Sequence, residues 1–371
     1  MSEQLTENQK KIKDELEIAR QNIKTDGYSM SIGELINLYR DNDLKLDPAF
    51  QRLFRWDDEQ KTKLIESILI GIPIPEVFVA QKSDGTWHVV DGVQRLSTIL
   101  QLTGNLPSKE MLTMTLCKYI PSLNGKTWND LPIETQREFK RTKLKINIIL
   151  TQNSDEAQYE LFQRLNTGGT SLSDQEVRNC LILMLNPDFF KSINDLKDYP
   201  NFKDCLKIEK HQFEKEYHME LILRMFIGYF NKVDYESFGP LSYIKLNEFI
   251  DKETINLIRN ADIQDFSDKF KKTFDLLKNS LGDKSFQKYY PEKNEFSGAF
   301  NVSVFEMLTV GISSNIDDVA NLGKTQLEKL IRELYNNEEI QQALARGVKA
   351  ISRFRDTTRI ARGYFKGEFC G

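Results

Sequence analysis

The sequence predicts an α+β chain: a small sheet with helices, followed by a mainly α-helical C-terminal region. Three observations carry this. Residues 76–102 read as strand, tight turn, strand, turn and helix. Residues 144–150 alternate apolar and other side chains at period two. Beyond residue 154, apolar positions recur at helical spacing almost without interruption. The expected organisation is an N-terminal helix (1–29), an α/β core (30–153) and a helical region (154–371). A chain of 371 residues is long enough to bury a sizeable core.

The elements follow in order. Thr6 and Gln9 make a capping box for a helix carrying Ile12, Leu16, Ala19 and Ile23. Ser31, with Glu34 three residues on, opens a second helix that turns Leu35, Leu38 and Tyr39 inward. Residues 41–50 are rich in turn formers. Asp57 and Gln60 then cap a helix bearing Leu64, Ile65, Ile68 and Leu69, which Gly71, Pro73 and Pro75 close. Residues 76–80 and 86–90 are strands joined by the hairpin signal Ser83-Asp84-Gly85. Asp91-Gly92 leads into a helix with Leu96, Ile99 and Leu100 inward. A variable stretch, 107–141, precedes the strand carrying Leu144, Ile146, Ile148 and Leu150.

Composition narrows the function classes. With 51 Lys and Arg against 55 Asp and Glu, the net charge is −4, so a nucleic-acid contact must come from a local basic patch. No apolar stretch approaches the roughly 18 residues that span a bilayer. The opening residues lack a signal-peptide run, so a cytoplasmic location and no membrane partner are expected. Cys117, Cys180, Cys205 and Cys370 are scattered and form no CxxC, which suits reduced thiols. With three histidines (His88, His211, His218), a His-rich metal site is not expected. P-loop, GxSxG and HExxH patterns are absent from the sequence.

Four stretches can carry chemistry. In Val90-Asp91-Gly92-Val93-Gln94-Arg95, a glycine at a strand-to-helix turn lets backbone approach a ligand, and the helix start favours an anion. Arg95 offers a fork of donors to phosphate. Asp91 can hold a hydrated Mg²⁺ or orient a water, and Gln94 can orient a water too. The alternative reading of the same residues is a helix cap, with Asp91 as N-cap and Arg95 paired to a surface carboxylate. In Phe50-Gln51-Arg52-Leu53-Phe54-Arg55-Trp56, two arginines beside three aromatics suit a phosphate and a stacked base, or else the aromatics pack under the next helix. Leu165-Asn166-Thr167-Gly168-Gly169-Thr170 is either a polar loop over a nucleotide or a helix C-cap and turn, with Ser173 and Glu176 capping the helix beyond. Arg355, Arg359 and Arg362 recur on one helix face, either as a basic stripe for nucleic-acid phosphates or as a solvated, carboxylate-paired face.

Taken together, FQRLFRW at 50–56, GIPIPEVFVA at 71–80, DGVQRLSTI at 91–99 and RLNTGGTSLSDQEVRN at 164–179 resemble one family. It is the DUF262 family, the N-terminal domain type of GmrSD-like restriction endonucleases, and the order and spacing match over roughly residues 30–185. The resemblance implies a ParB/sulfiredoxin-like small mixed sheet whose DGxQR turn binds nucleotide phosphate. It further implies binding or hydrolysis of a nucleoside triphosphate, with Mg²⁺, coupled to DNA cleavage or its control in prokaryotic defence against phage. DNA and a separate nuclease or defence protein are the implied partners. Carried over by position, Gln51 and Arg52 match the first motif, Asp91, Gly92, Gln94 and Arg95 the second, and Asn166 and Gly168 the loop; Arg55 joins the nucleotide-binding set. Asp91, Gln94 and Arg95 are the expected catalytic residues, with Asp91 the expected metal ligand. Val93 stands where the family usually carries Gln or His, which favours binding over hydrolysis. The three histidines do not make the C-terminal HNH-type nuclease site that many relatives carry. A non-catalytic nucleotide sensor or partner-binding module is therefore the alternative to an NTPase or nicking endonuclease.

Overall fold

The computed structural model describes residues 6–22, 25–46, 56–82, 84–107, 109–150, 173–241 and 243–367. The chain divides into two compact units, Met1–Ser171 and Leu172–Gly371. The expected boundary at 153/154 lies outside the described residues.

The first unit contains α1 (Glu7–Asn22), β1 (Thr25–Ser31), α2 (Ile32–Arg40), β2 (Leu44–Lys45), α3 (Asp58–Leu69), β3 (Val77–Gln81), β4 (Trp87–Asp91), α4 (Val93–Leu102), α5 (Ile133–Arg141) and β5 (Lys143–Ile149). The strands form one mixed sheet in the order β1-β5-β3-β4-β2. β5 runs antiparallel to β1 and parallel to β3, β3 runs antiparallel to β4, and β4 runs parallel to β2. The α+β expectation holds, with a mixed five-stranded sheet ahead of a helical region. Buried Val77, Val79, Val89, Val90, Leu144, Ile146 and Ile148 supply the sheet's apolar layer, and α4 covers it with Leu96, Ile99 and Leu100. A register shift between Phe78 and Val79 interrupts the β3–β4 pairing, and beyond it Phe78 stands opposite Asp91.

The local signals translate directly. Ser31 accepts from the Glu34 N–H at 3.2 Å. Asp57 and Gln60 close a reciprocal box on α3. The α1 box forms between Thr6 and Gln9, yet Ile12 and Leu16 remain half-exposed. The variable stretch is held by a buried acid: Glu66 accepts from the N–H groups of Lys118, Tyr119 and Ile120 at 3.2, 2.6 and 2.7 Å.

The second unit is helical. It runs through α6 (Asp174–Leu185), α7 (Pro187–Lys197), α8 (Pro200–Cys205), α9 (Lys210–Glu214), α10 (Tyr217–Phe230), α11 (Leu246–Asn260) and α12 (Ile263–Ser280). A two-stranded hairpin, β6 (Lys288–Tyr290) and β7 (Glu295–Ser297), precedes α13 (Val302–Ser314), α14 (Ile316–Val319), α15 (Lys324–Leu334), α16 (Glu338–Ala343) and α17 (Ala350–Phe365). Its centre combines stacked phenylalanines with a chain of buried charges. Phe226 and Phe266 stack at 3.9 Å, and Phe270 and Phe274 continue the cluster. Fully buried Arg178 on α6 donates through Nε to Asp251 on α11 at 2.7 Å and lies 3.7 Å from Glu220 on α10. Arg224 joins Glu220 to Glu306 on α13 at 2.7 and 2.6 Å. Burial pushes Glu306 above the usual carboxylate range, against the pull of Arg224. None of Cys117, Cys180 and Cys205 is in a disulfide, and burial pushes the Cys205 thiol up to about 11.

Two stability predictions follow from this unit. Arg178→Ala leaves Asp251 and Glu220 buried without their guanidinium, so urea denaturation should show a loss of about 3–5 kcal/mol. A near-neutral result would mean that the charge chain does not hold the helices. His218 is lowered from 6.5 to about 4, chiefly by burial and then by Lys197 and Lys203. The folded form thus resists a proton that the unfolded form accepts, and stability falls as pH drops from 6.5 toward 4. Relative to His218→Gln, wild type should lose up to about 3 kcal/mol across that window; parallel pH profiles would contradict this.

Candidate functional site

β4 ends at Asp91 and α4 begins at Val93, so the reversal from strand to helix falls on Gly92. Its φ of +91° is in the left-handed region, and a Cβ there would stand 2.8 Å from Val77 Cγ2. Both conformation and space therefore require glycine. Gly92 is itself the N-cap of α4, and no side chain caps the helix. The expected Asp91 cap is corrected on this point. A ten-residue helix that starts uncapped leaves its first-turn N–H groups without intrahelical acceptors, at the positive end of its dipole.

Arg95 turns inward and is 9% exposed. Its Nη1 donates to Pro75 O at 2.6 Å and Glu76 O at 2.9 Å, and its Nη2 donates to Asp91 Oδ2 at 2.8 Å. This corrects the expectation of an open fork for phosphate; the alternative, a pair with a surface carboxylate, fits Asp91, whose side chain is 41% exposed. The physical reason is local. The Pro-Ile-Pro-Glu turn brings two carbonyls beside the helix start, and the guanidinium satisfies both while compensating Asp91. The Glu76 carboxylate is held on the other side by Lys145 and Asn147, each at 2.5 Å, and those bonds pull it below the usual carboxylate range.

Asp91 keeps a side chain 41% exposed, with Oδ2 committed to Arg95. Among the described residues no group of three His, Cys, Asp or Glu side chains can hold a metal. Asp91 is the one carboxylate of the 90–95 turn, and one of its oxygens is paired with a guanidinium. Gln94 has a different part from the water-orienting one expected. Its Oε1 accepts the Trp56 N–H at 3.2 Å. Trp56 is the last residue of FQRLFRW, so this bond brings the first motif to the second. Val93 packs into the core at 3% exposure. Gln51, Arg52, Arg55, Asn166 and Gly168 lie outside the described residues.

The C-terminal arginines do not make one open cationic face. Arg355 pairs with Asp356 at 2.8 Å and Arg359 with Glu339 at 3.0 Å. Arg362 turns inward, donates to Gly228 O at 2.5 Å, and is held below its usual pKa by burial. The carboxylate-paired reading fits Arg355 and Arg359, and the expected nucleic-acid stripe is corrected to that extent.

The site thus joins three stretches of sequence: Trp56, the 75–76 carbonyls and the 91–95 turn. Residues 32–183 match the family model described as GmrSD restriction endonuclease, N-terminal domain. No curated protein and no solved structure matches the chain. The matched segment holds every described element of the site and continues to residue 183, within α6. Among the described residues, no helix is long and apolar enough to cross a membrane.

Arg95→Lys tests the brace. A lysine cannot reach two carbonyls and a carboxylate from one flat fork. The variant should lose about 2–4 kcal/mol in urea denaturation, whereas wild-type stability would count against it. Gly92→Ala should cost about 1–3 kcal/mol, since strain and contact act together.

Proposed function

We propose that the GmrSD-type domain binds a nucleoside triphosphate by its phosphates at the N-terminus of α4. On this reading it is the nucleotide-dependent component of a prokaryotic restriction or anti-phage system, acting on DNA or controlling a separate nuclease. The hydrogen bond from Trp56 N–H to Gln94 carries the proposal, because it joins the arginine-bearing motif to the uncapped helix start. The first-turn N–H groups of α4 receive phosphate oxygens. Gly92 permits the close approach. Arg52 and Arg55 supply the cations, since Arg95 is engaged with Pro75, Glu76 and Asp91. Asp91 and Arg95 act as positioning residues that fix the turn. No step is assigned to a metal.

One observation favours sensing over turnover. At the turn, one carboxylate oxygen of Asp91 is held by the Arg95 guanidinium at 2.8 Å, a positioning bond rather than a bond to a water. The test is a thermal-shift screen across the nucleoside triphosphates, run beside a phosphate-release assay. A ligand at 100 times its Kd adds about 2.7 kcal/mol, and Arg52→Ala should abolish the shift while leaving the unliganded Tm unchanged. Phosphate release at background supports the sensor, and turnover lost in Arg52→Ala supports the enzyme. If no nucleotide shifts the Tm, the phosphate-binding reading fails.

A further inference from the structure

α2 and α4 both end beside the start of β4, and the turns that follow them enclose a hollow of about 500 Å³. Tyr39, Arg40, Asn42, Lys45, His88 and Asn105 help to line it. A second hollow of about 420 Å³ shares Arg40 and Asn105 and adds Lys140. We propose that this pair of hollows is an anion site for a phosphorylated small molecule of mononucleotide size. It is distinct from the Gly92 turn. The turn lies at the N-terminus of α4 and the hollows at its C-terminus, about 15 Å away at 1.5 Å per residue.

The charge of the lining sets the sign of the ligand. Arg40, Lys45 and Lys140 are bases, and among the described residues no carboxylate lines either hollow. Asp41 and Asp43 lie in the adjoining turn but line neither hollow.

The helix ends would oppose an anion if their carbonyls stood open, and three carbonyls of each last turn are already bonded. Asp41, Asn42 and Asp43 donate N–H bonds to Asn37, Tyr39 and Leu38 carbonyls. Thr103, Gly104 and Asn105 do the same for Ile99, Gln101 and Leu100.

Arg40 is also set in place for a ligand. Its Nε donates to Asn105 Oδ1 at 2.7 Å, and Asn105 is itself held by Thr103 O and Oγ1 at 3.0 and 2.9 Å. Among the described residues neither Nη nitrogen of Arg40 meets an acceptor, so the fork faces the hollows with its orientation fixed. A last-turn arginine that only served the α2 dipole would not need a partner 65 residues away. The volumes fall in the range of small-molecule sites, and Tyr39, Leu44, Leu46 and Pro107 add apolar and flat surface for a base.

The experiment titrates inorganic phosphate and adenosine monophosphate into the full chain, followed by calorimetry. It uses Arg52→Ala as the background, so that binding at the turn is removed and the two readings stay separable. Saturable binding should persist there and weaken about tenfold or more in both Arg40→Gln and Lys45→Gln. If Arg40→Gln unfolds, Lys45→Gln decides, because Lys45 is exposed on a two-residue edge strand. Tighter binding of the monophosphate than of phosphate supports the mononucleotide-sized ligand, and equal binding overturns that part. Absence of saturable binding, or binding untouched by Lys45→Gln, overturns the site.

Discussion

The guanidinium of Arg95 is the constraint on which the site depends. It ties the carbonyls of Pro75 and Glu76, where the chain enters β3, to the carboxylate that ends β4. Without it, two carbonyls and Asp91 would lose their partner at the point where Gly92 must hold a left-handed turn. Three donated bonds from one flat, buried group fix that point more firmly than water could. The cost is that Arg95 no longer serves as an open fork. On the proposed reading, phosphate recognition then falls to the backbone N–H groups at the α4 start and to the arginines of the first motif.

Gln94 complements this. By accepting from Trp56 it anchors the end of the FQRLFRW motif at the helix start, so residues in two separate stretches behave as parts of one site. The second unit is organised by a different device. There Arg178 and Arg224 alternate with Asp251, Glu220 and Glu306 across four helices. Such a chain fixes which helices lie together, because any other arrangement would bury an unpaired charge.

Much of the fold was legible in the sequence because its signals are local. Ser31 with Glu34, Asp57 with Gln60 and Ser173 with Glu176 are three apart and act as caps in the structure. The hairpin signal between 76–80 and 86–90 and the alternation in 144–150 marked β3, β4 and β5. β1 was missed: TDGYSMS has little apolar alternation, and its strand character comes from pairing with β5 along its whole length. β2 was missed because two residues carry no period. The variable stretch hid α5, whose nine residues bury only Phe139.

The site was legible as a set of motifs but not as a division of labour. The donors of Arg95 end on backbone carbonyls 19 and 20 residues away, which leave no mark in the sequence. The Arg362 partner, Gly228 O, is 134 residues distant, so a stripe drawn on one helix could not reveal an inward turn. Arg178 meets its acid, Asp251, 73 residues on, a separation that no local pattern signals.

The most direct test of the central claim is amide chemical-shift mapping of the labelled full chain during titration with a nucleoside triphosphate. The account predicts saturable shifts at the N–H groups of Val93, Gln94, Arg95 and Trp56. Shifts confined to residues away from the α4 start, or none at all, would contradict it.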